Sequence, residues 1–299
     1  MPNDKLRDYL HLHFIVFIWG FTAVLGKLIT IGALPLVWYR MLLATLMVFL
    51  FILFKKTSLK IFSRKILWTM LLGGVIIALH WVTFFLAIKL STVTVALAAM
   101  STGAFFTALL EPIWYGRKII WYELLLGLIV IAGIGIIFKV EQGYAYGISL
   151  ALISACLSAI FSLMNGKLIK NGRPSVISFY ELGAGVLFLT VYLMVTGGFS
   201  KDFFLLSKND WIFLFVLASV CTAYAFIASV KVMRHLSPFT VMLTINLEPV
   251  YGIVLAFVFL GEEEKMNPFF YLGGLVILST VLVNGILKNR IALKKSGIR

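Results

Sequence analysis

The sequence predicts an all-α membrane protein in which ten transmembrane helices form two inverted five-helix repeats. Hydrophobic residues make up 62% of the 299 positions and charged residues only 13%, against about 45–50% and about 25% in soluble domains. The apolar residues fall in ten runs of about 20, the length that crosses a bilayer. Short motifs also recur between the two halves. Little of the chain remains for a soluble domain.

The apolar runs define the expected helices in chain order. The first run follows Lys5 and Arg7 like a signal peptide, but no small-residue cleavage site comes after it, so we retain it as a helix. A basic tail, 288–299, follows the last run. We expect spans near 10–30, 34–54, 66–88, 91–113, 119–138, 145–167, 174–196, 211–230, 237–260 and 268–287.

Lysine and arginine are divided unevenly between the two sides of these spans. Of the 26 basic residues, 19 fall on one side and 6 on the other, and Arg40 lies inside a span. Short loops rich in Lys and Arg stay in the cytoplasm, so we expect a multi-pass protein of the cell inner membrane with both termini cytoplasmic. This topology accounts for the net charge of +14, and we expect the lipid bilayer, not nucleic acid, as its surroundings.

The two halves carry matching motifs. Gly-Lys-Leu-Ile occurs at 26–29 and again at 166–169, and further matches follow at an offset of 146 in the third to fifth helices of each half. A copy of a five-helix unit must cross the membrane in the opposite sense, which predicts inverted repeats at about 12–138 and 146–287. This architecture is typical of secondary transporters, which hold substrate near the midplane between repeats.

Several short motifs are spread over both halves: Trp19-Gly20, Tyr39-Arg40, His80-Trp81 with Phe84, Ala87 and Lys89, Leu247-Glu248-Pro249-Val250-Tyr251, and Gly261-Glu262. Over nearly the whole chain they resemble the EamA family of the drug/metabolite transporter superfamily. The resemblance implies that helices 1, 3, 4, 6, 8 and 9 help to line a central cavity. Because members of this family commonly export amino acids or related metabolites, it also implies such an activity for this chain. The sequence departs from the family at Gly103, where proline is often found, and at Glu181, the acidic counterpart of Arg40.

Glu248 and Pro249 are the strongest candidates for a functional role. Glu248 lies about 10 residues into the ninth helix, roughly 15 Å deep and so near the midplane, where an unpaired charge costs at least about 2.5 kcal/mol. Pro249 frees a backbone carbonyl one turn earlier, which predicts a hinge. Glu248 then binds a cation, a proton or a substrate ammonium group. The alternative is a protonated carboxyl that hydrogen bonds to a neighbouring helix.

Further substrate-binding candidates lie at similar depth or on the implied cavity helices: Asn246, Trp19, His80, Trp81, Asn165 and Tyr224. Aromatic walls with a few amides and one carboxylate suit an amphipathic small molecule. His80 either shares protons with Glu248 or is a hydrogen-bonded packing residue. The large aromatic residues either line the cavity or fill the core.

Arg40 lies about 9 Å below the outer end of the second helix, close enough for its side chain to snorkel outward. We therefore place it at an outer vestibule, as a structural or headgroup contact or as an anion-recognition group. Glu181 lies at a comparable depth from the opposite face, so a direct salt bridge between the two is not expected. The glutamates at 262–264 are expected to form a solvated turn.

The function classes can be narrowed by what the spans do not contain. No Asp lies within any span and no catalytic pair stands out, so we expect no enzyme and no catalytic residues. Cys156 and Cys221 lack metal-ligand spacing, and there is no Walker-type loop, so we expect no metal, no cofactor and no direct use of ATP. We expect a secondary transporter that exports an amino-acid-like metabolite by alternating access, with a proton or other ion as the candidate coupling partner. The alternative is a lipid-handling flippase or a nonspecific facilitator of the same fold.

Overall fold

The computed structural model describes residues 2–61, 63–116, 118, 121–170, 172–236, 241, 244–245 and 247–295. All the regular structure in these ranges is helical, with no β-strand. The α-helices are α1 (Pro2–Leu28), α2 (Ala33–Phe54), α3 (Arg64–Leu90), α4 (Val93–Met100), α5 (Gly103–Tyr115), α6 (Trp121–Val140), α7 (Ala145–Leu168), α8 (Pro174–Val195), α9 (Lys208–Ala218), α10 (Ala225–Val232), α11 (Glu248–Leu260) and α12 (Pro268–Lys295).

Eight helical stretches of the described chain are long and apolar enough to cross a membrane, so the chain is a multi-pass membrane protein. One stretch combines α4 and α5, with a break at 101–102, and another combines α9 and α10 through a π-helical segment, Ser219–Tyr224. The predicted span 119–138 overlaps a shorter apolar helix, Leu125–Lys139. The described part of the span 237–260 contains α11. The count of ten crossings stays a prediction.

The helices begin where the sequence supplies caps and are apolar on most of their circumference. Ser63 accepts the backbone N–H of Ile66 at the start of α3, and Thr92 accepts that of Val95 at the start of α4, which satisfies donors that have no partner inside a helix. Large apolar side chains such as Phe54, 82% exposed, cover the outer surface. Such exposure suits contact with lipid.

Helix α3 lies at the centre of the bundle and packs along both α7 and α8. Gly73 and Gly74 allow the close approach of α8, because a Cβ on Gly73 would lie 2.9 Å from Oε1 of Glu181 and one on Gly74 would lie 3.0 Å from the backbone N of Gly185. Elsewhere α1 packs against α11 and α2 against α8, whereas the main neighbour of α6 is α12. The α6–α12 pair is therefore peripheral to the central group.

Several inter-helix connections are tied together at one end of the bundle, which we call the Asp210 end. The Asp210 carboxylate accepts hydrogen bonds from the backbone N–H of Thr30 (2.6 Å), its hydroxyl (2.8 Å) and the hydroxyl of Ser207 (2.7 Å). Lys89 donates from its ammonium group to the carbonyl of Ile29. The end of α1 is thus fixed to the start of α9 and the end of α3.

Glu264 belongs to the same end, and the expectation of a solvated turn is wrong for this residue. Its side chain is 1% exposed, and its carboxylate accepts the backbone N–H groups of Val93 (3.1 Å) and Thr94 (2.7 Å) at the start of α4. The first N–H groups of a helix lack intrahelical partners and attract negative charge. Glu262 and Glu263, by contrast, are exposed.

Replacing Glu264 by alanine should lower the melting temperature of the purified protein. The substitution leaves two buried backbone donors unpaired, at about 1–3 kcal/mol for each group. Glu263→Ala is the matched control, because that side chain is exposed and its loss should leave the melting temperature unchanged. Equal melting temperatures for the two variants would contradict a capping role for Glu264.

Candidate functional site

A cavity with about 750 Å³ of empty space, including the part open to solvent, lies between the central helices. Its walls come from α1, α2, α3, α4, α7, α10 and α11. The aromatic lining consists of Trp19, Trp81, Phe84, Phe161 and Phe226, and the polar lining of Thr22, Arg40, His80, Ser158, Ser162, Asn165, Ser229 and Glu248. The cavity is therefore amphipathic and carries one guanidinium group and one carboxyl group.

Arg40 points into this cavity, and the expectation that it snorkels to an outer vestibule is wrong. Its side chain is only 2% exposed. The guanidinium carbon lies 3.8 Å from the ring centroid of Trp81 and 5.5 Å from that of Phe85, and Nε donates to the hydroxyl of Thr222 at 2.7 Å. Aromatic faces on α3 and a hydroxyl from the π-helical segment provide closer partners than the membrane surface does.

The π-helical segment Ser219–Tyr224 supplies hydrogen-bond partners for two cavity-lining residues, which the sequence did not indicate. The Thr222 hydroxyl donates to the carbonyl of Leu217 at 2.7 Å and accepts from Arg40. The carbonyl of Cys221 accepts from the indole N–H of Trp19 at 3.2 Å. π-Helical turns widen the backbone and occur frequently at functional sites. A threonine in an apolar span carries no sequence signal of such a role.

His80 is joined to α7 by hydrogen bonds. Its Nδ1 lies 2.8 Å from the Ser154 hydroxyl and 2.9 Å from the Ser154 carbonyl, and the same hydroxyl donates to the backbone carbonyl of His80 at 2.8 Å. The imidazole ring also stacks on Phe84, with the ring centroids 6.2 Å apart. These contacts fix the orientation of the ring in the cavity wall and make Ser154 its partner.

Asn165 lines the cavity and connects it to a buried carboxyl. Its amide N–H donates to Oε1 of Glu181 at 2.9 Å, and Glu181 is 0% exposed. Neither the Asn165 amide oxygen nor Oε2 of Glu181 has a hydrogen-bond partner among the described residues. Glu181 makes no ion pair with Arg40 in that part of the chain.

Glu248 lies at the first position of α11, and Pro249 is buried in the first turn of that helix. Proline is tolerated there because the first N–H groups of a helix have no intrahelical acceptor. Glu248 and Arg40 both line the cavity, yet no ion pair of 4.0 Å or less links them. Asn246, the neighbouring candidate, lies outside the described residues. A hinge at Pro249 stays a prediction.

The cavity therefore brings together most of the candidate residues. Trp19, His80, Trp81, Asn165 and Glu248 line it, as does Arg40. Tyr224 does not, because it is 42% exposed and its hydroxyl lies 2.7 Å from Nε2 of His11 on α1. The described residues contain no cluster of three or more His, Cys, Asp or Glu side chains that could hold a metal ion, and both cysteines are free.

A multi-pass helical bundle with an amphipathic internal cavity is an arrangement that membrane transport proteins use. The sequence profile of the EamA-like transporter family matches the chain twice, at residues 9–139 and 145–286. The chain belongs to the EamA-like transporter family.

Two curated relatives carry transporter names. One from Bacillus subtilis (strain 168), named uncharacterized transporter YxxF, is 25% identical over 271 residues, which cover 88% of this chain and 85% of that protein. One from Archaeoglobus fulgidus, named uncharacterized transporter, is 22% identical over 283 residues, which cover 93% and 96%. A solved crystal structure superposes with a TM-score of 0.65 at 14% identity, covering 95% of this chain and 98% of the other. That likeness concerns the fold alone.

Proposed function

We propose that the protein is a secondary carrier, not an enzyme, that exports a small amino-acid-like metabolite across the cell inner membrane by alternating access. The observation that carries this proposal is the internal cavity whose wall contains Arg40, Glu248 and five large aromatic side chains. Opposite charges beside apolar surface suit an amphipathic small molecule. Charged and amide groups in the wall favour a metabolite over the tail of a phospholipid.

The proposal includes ten crossings in two inverted five-helix repeats. Two observations support it: the family profile matches two successive halves of the chain, and the basic residues divide 19 to 6 between the sides in a ten-span topology. In that topology both termini are cytoplasmic and the Asp210 end faces outward. The hydrogen bonds of Asp210 and Glu264 would then hold the outer end closed, while the cavity extends to Met233 at the end of α10.

Engineered cysteines test this topology. In a variant with both native cysteines replaced by alanine, Leu205→Cys should react with a membrane-impermeant maleimide from outside intact cells. Lys60→Cys should react only after permeabilisation, because the 55–65 segment lies on the side rich in Lys and Arg. Both positions are exposed. Labelling of the two from the same face would contradict the inverted arrangement.

The transport activity is tested first in cells and then with the purified protein. Cells that overexpress the protein should tolerate higher concentrations of at least one toxic amino-acid analogue than cells with an empty vector. The matching radiolabelled amino acid should then leave preloaded proteoliposomes faster than protein-free liposomes. If tolerance to none of the analogues changes and no amino-acid flux is found, the proposal is refuted. Movement of a labelled phospholipid without amino-acid flux would favour a flippase.

A further inference from the structure

The guanidinium of Arg40 is buried and forms no ion pair with any residue that the structure describes. One of its faces lies against the indole of Trp81, 3.8 Å from the ring centroid, and Nε is engaged by the Thr222 hydroxyl. Its Nη1 atom is buried and has no hydrogen-bond partner in the described part of the chain. Arg40 is one of the residues that line the cavity, so this unpartnered donor belongs to a cavity-lining side chain.

A buried cation without a compensating anion is unfavourable, because burial removes its hydration. The anion within reach of the same cavity is Glu248, but the two side chains form no ion pair of 4.0 Å or less. The nitrogen atoms of the guanidinium and the carboxylate oxygens of Glu248 are therefore more than 4.0 Å apart. A molecule that carries both charges could satisfy both residues together, whereas an amine or a neutral molecule would leave Arg40 uncompensated.

We infer that Arg40 and Trp81 form a carboxylate-binding subsite and that Glu248 faces the ammonium group of the same ligand, so that the cargo is a zwitterion with an apolar side chain. The guanidinium fork matches a carboxylate in two parallel hydrogen bonds. The aromatic residues Phe161 and Phe226, whose stacked rings have their centroids 5.4 Å apart, line the same cavity. The inference rests on the proposed carrier function and specifies its substrate class.

The test uses the full-length protein in nanodiscs and probes that separate the two charges. L-phenylalanine carries both, 3-phenylpropionate only the carboxylate, and 2-phenylethylamine only the ammonium group. L-leucine and 4-methylpentanoate repeat the comparison with a smaller side chain. Binding is measured by calorimetry. In Arg40→Met, the affinity for the carboxylate probes should fall by about 10- to 100-fold, the expected loss for a charged hydrogen-bond partner. The affinity for 2-phenylethylamine should be unchanged or higher.

Controls separate a ligand contact from a structural role. Arg40→Lys keeps the charge without the planar fork and should bind carboxylates with intermediate affinity. Lys167→Met is the matched control, since Lys167 is a cation with Nζ 5.4 Å from the ring centroid of Trp114 and lies outside the cavity. It should bind every probe like the wild type. Equal losses for all probes in Arg40→Met, or no binding of any carboxylate probe by the wild type, would overturn the subsite.

Failure of the subsite can be told apart from failure of the carrier proposal. Flux of 2-phenylethylamine through proteoliposomes without competition from carboxylates would keep the carrier and refute the subsite. Carboxylate binding that depends on Arg40, without flux of any probe, would keep the subsite and refute the carrier.

Discussion

Replacing Glu248 by glutamine should reduce export by about 10- to 100-fold, the loss expected when a charged hydrogen-bond partner is removed. Glutamine keeps the length and shape of the side chain, so the start of α11 and its contacts with α1 should be preserved. The change removes the negative charge of the cavity wall. An ammonium group or a coupling proton would then have no carboxylate to bind.

The same variant also tests whether Glu248 carries the coupling proton. The other charged or titratable residues of the cavity wall are Arg40 and His80. If proton entry drives export, acidifying the outside should accelerate flux in the wild type and should have no effect in Glu248→Gln. A pH dependence that persists in this variant would assign the proton to another group.

Glu262→Gln is the matched control for Glu248→Gln. The Glu262 side chain is 87% exposed and pairs with Lys265 at 3.2 Å near the Asp210 end. The Glu262→Gln variant should transport like the wild type, since the charge that it loses lies outside the cavity. Both variants are compared in proteoliposomes containing equal amounts of protein. Unchanged flux in Glu248→Gln would remove this carboxylate from the mechanism.

Much of the helical organisation could be predicted, because runs of about 20 apolar residues and their caps are local properties of the sequence. The depth of a residue along its helix follows from counting. The direction of its side chain around the helix does not, and Arg40 shows why. Its orientation is decided by Trp81 on α3 and by Thr222 on the π-helical segment, which are far away in sequence.

Tyr224 was predicted to line the cavity but does not, and the reason is related. A π-helical turn changes the number of residues per turn and therefore rotates the face that the following residues present. The segment Ser219–Tyr224 has no composition that distinguishes it from an α-helix. Glu264 was missed because a cluster of glutamates suggests a solvated turn, whereas its partners, the N–H groups of Val93 and Thr94, come from the first half of the chain.

Replacing Gly74 by alanine should destabilise the protein by about 1–3 kcal/mol, the usual cost of overpacking a tight contact. The added Cβ would collide with the backbone carbonyl of Glu181 and lie 2.7 Å from the Cβ of Ala184 and 3.0 Å from the backbone N of Gly185. Backbone atoms cannot rotate away as a side chain can, so α3 and α8 would have to separate. That movement would also disturb the buried Glu181 beside the cavity wall.

Gly135→Ala provides the matched control because Gly135 lies within α6 and no atom stands within 4 Å of its added Cβ. Alanine favours a helix over glycine by about 1 kcal/mol, so this variant should melt at the wild-type temperature or slightly above it. The melting temperatures are compared by size-exclusion chromatography of heated, detergent-solubilised protein. Since the two substitutions add the same methyl group to a helix, a lower melting temperature in Gly74→Ala alone measures the α3–α8 contact. Equal melting of the two variants would mean that the helices are not packed as closely as the structure has them.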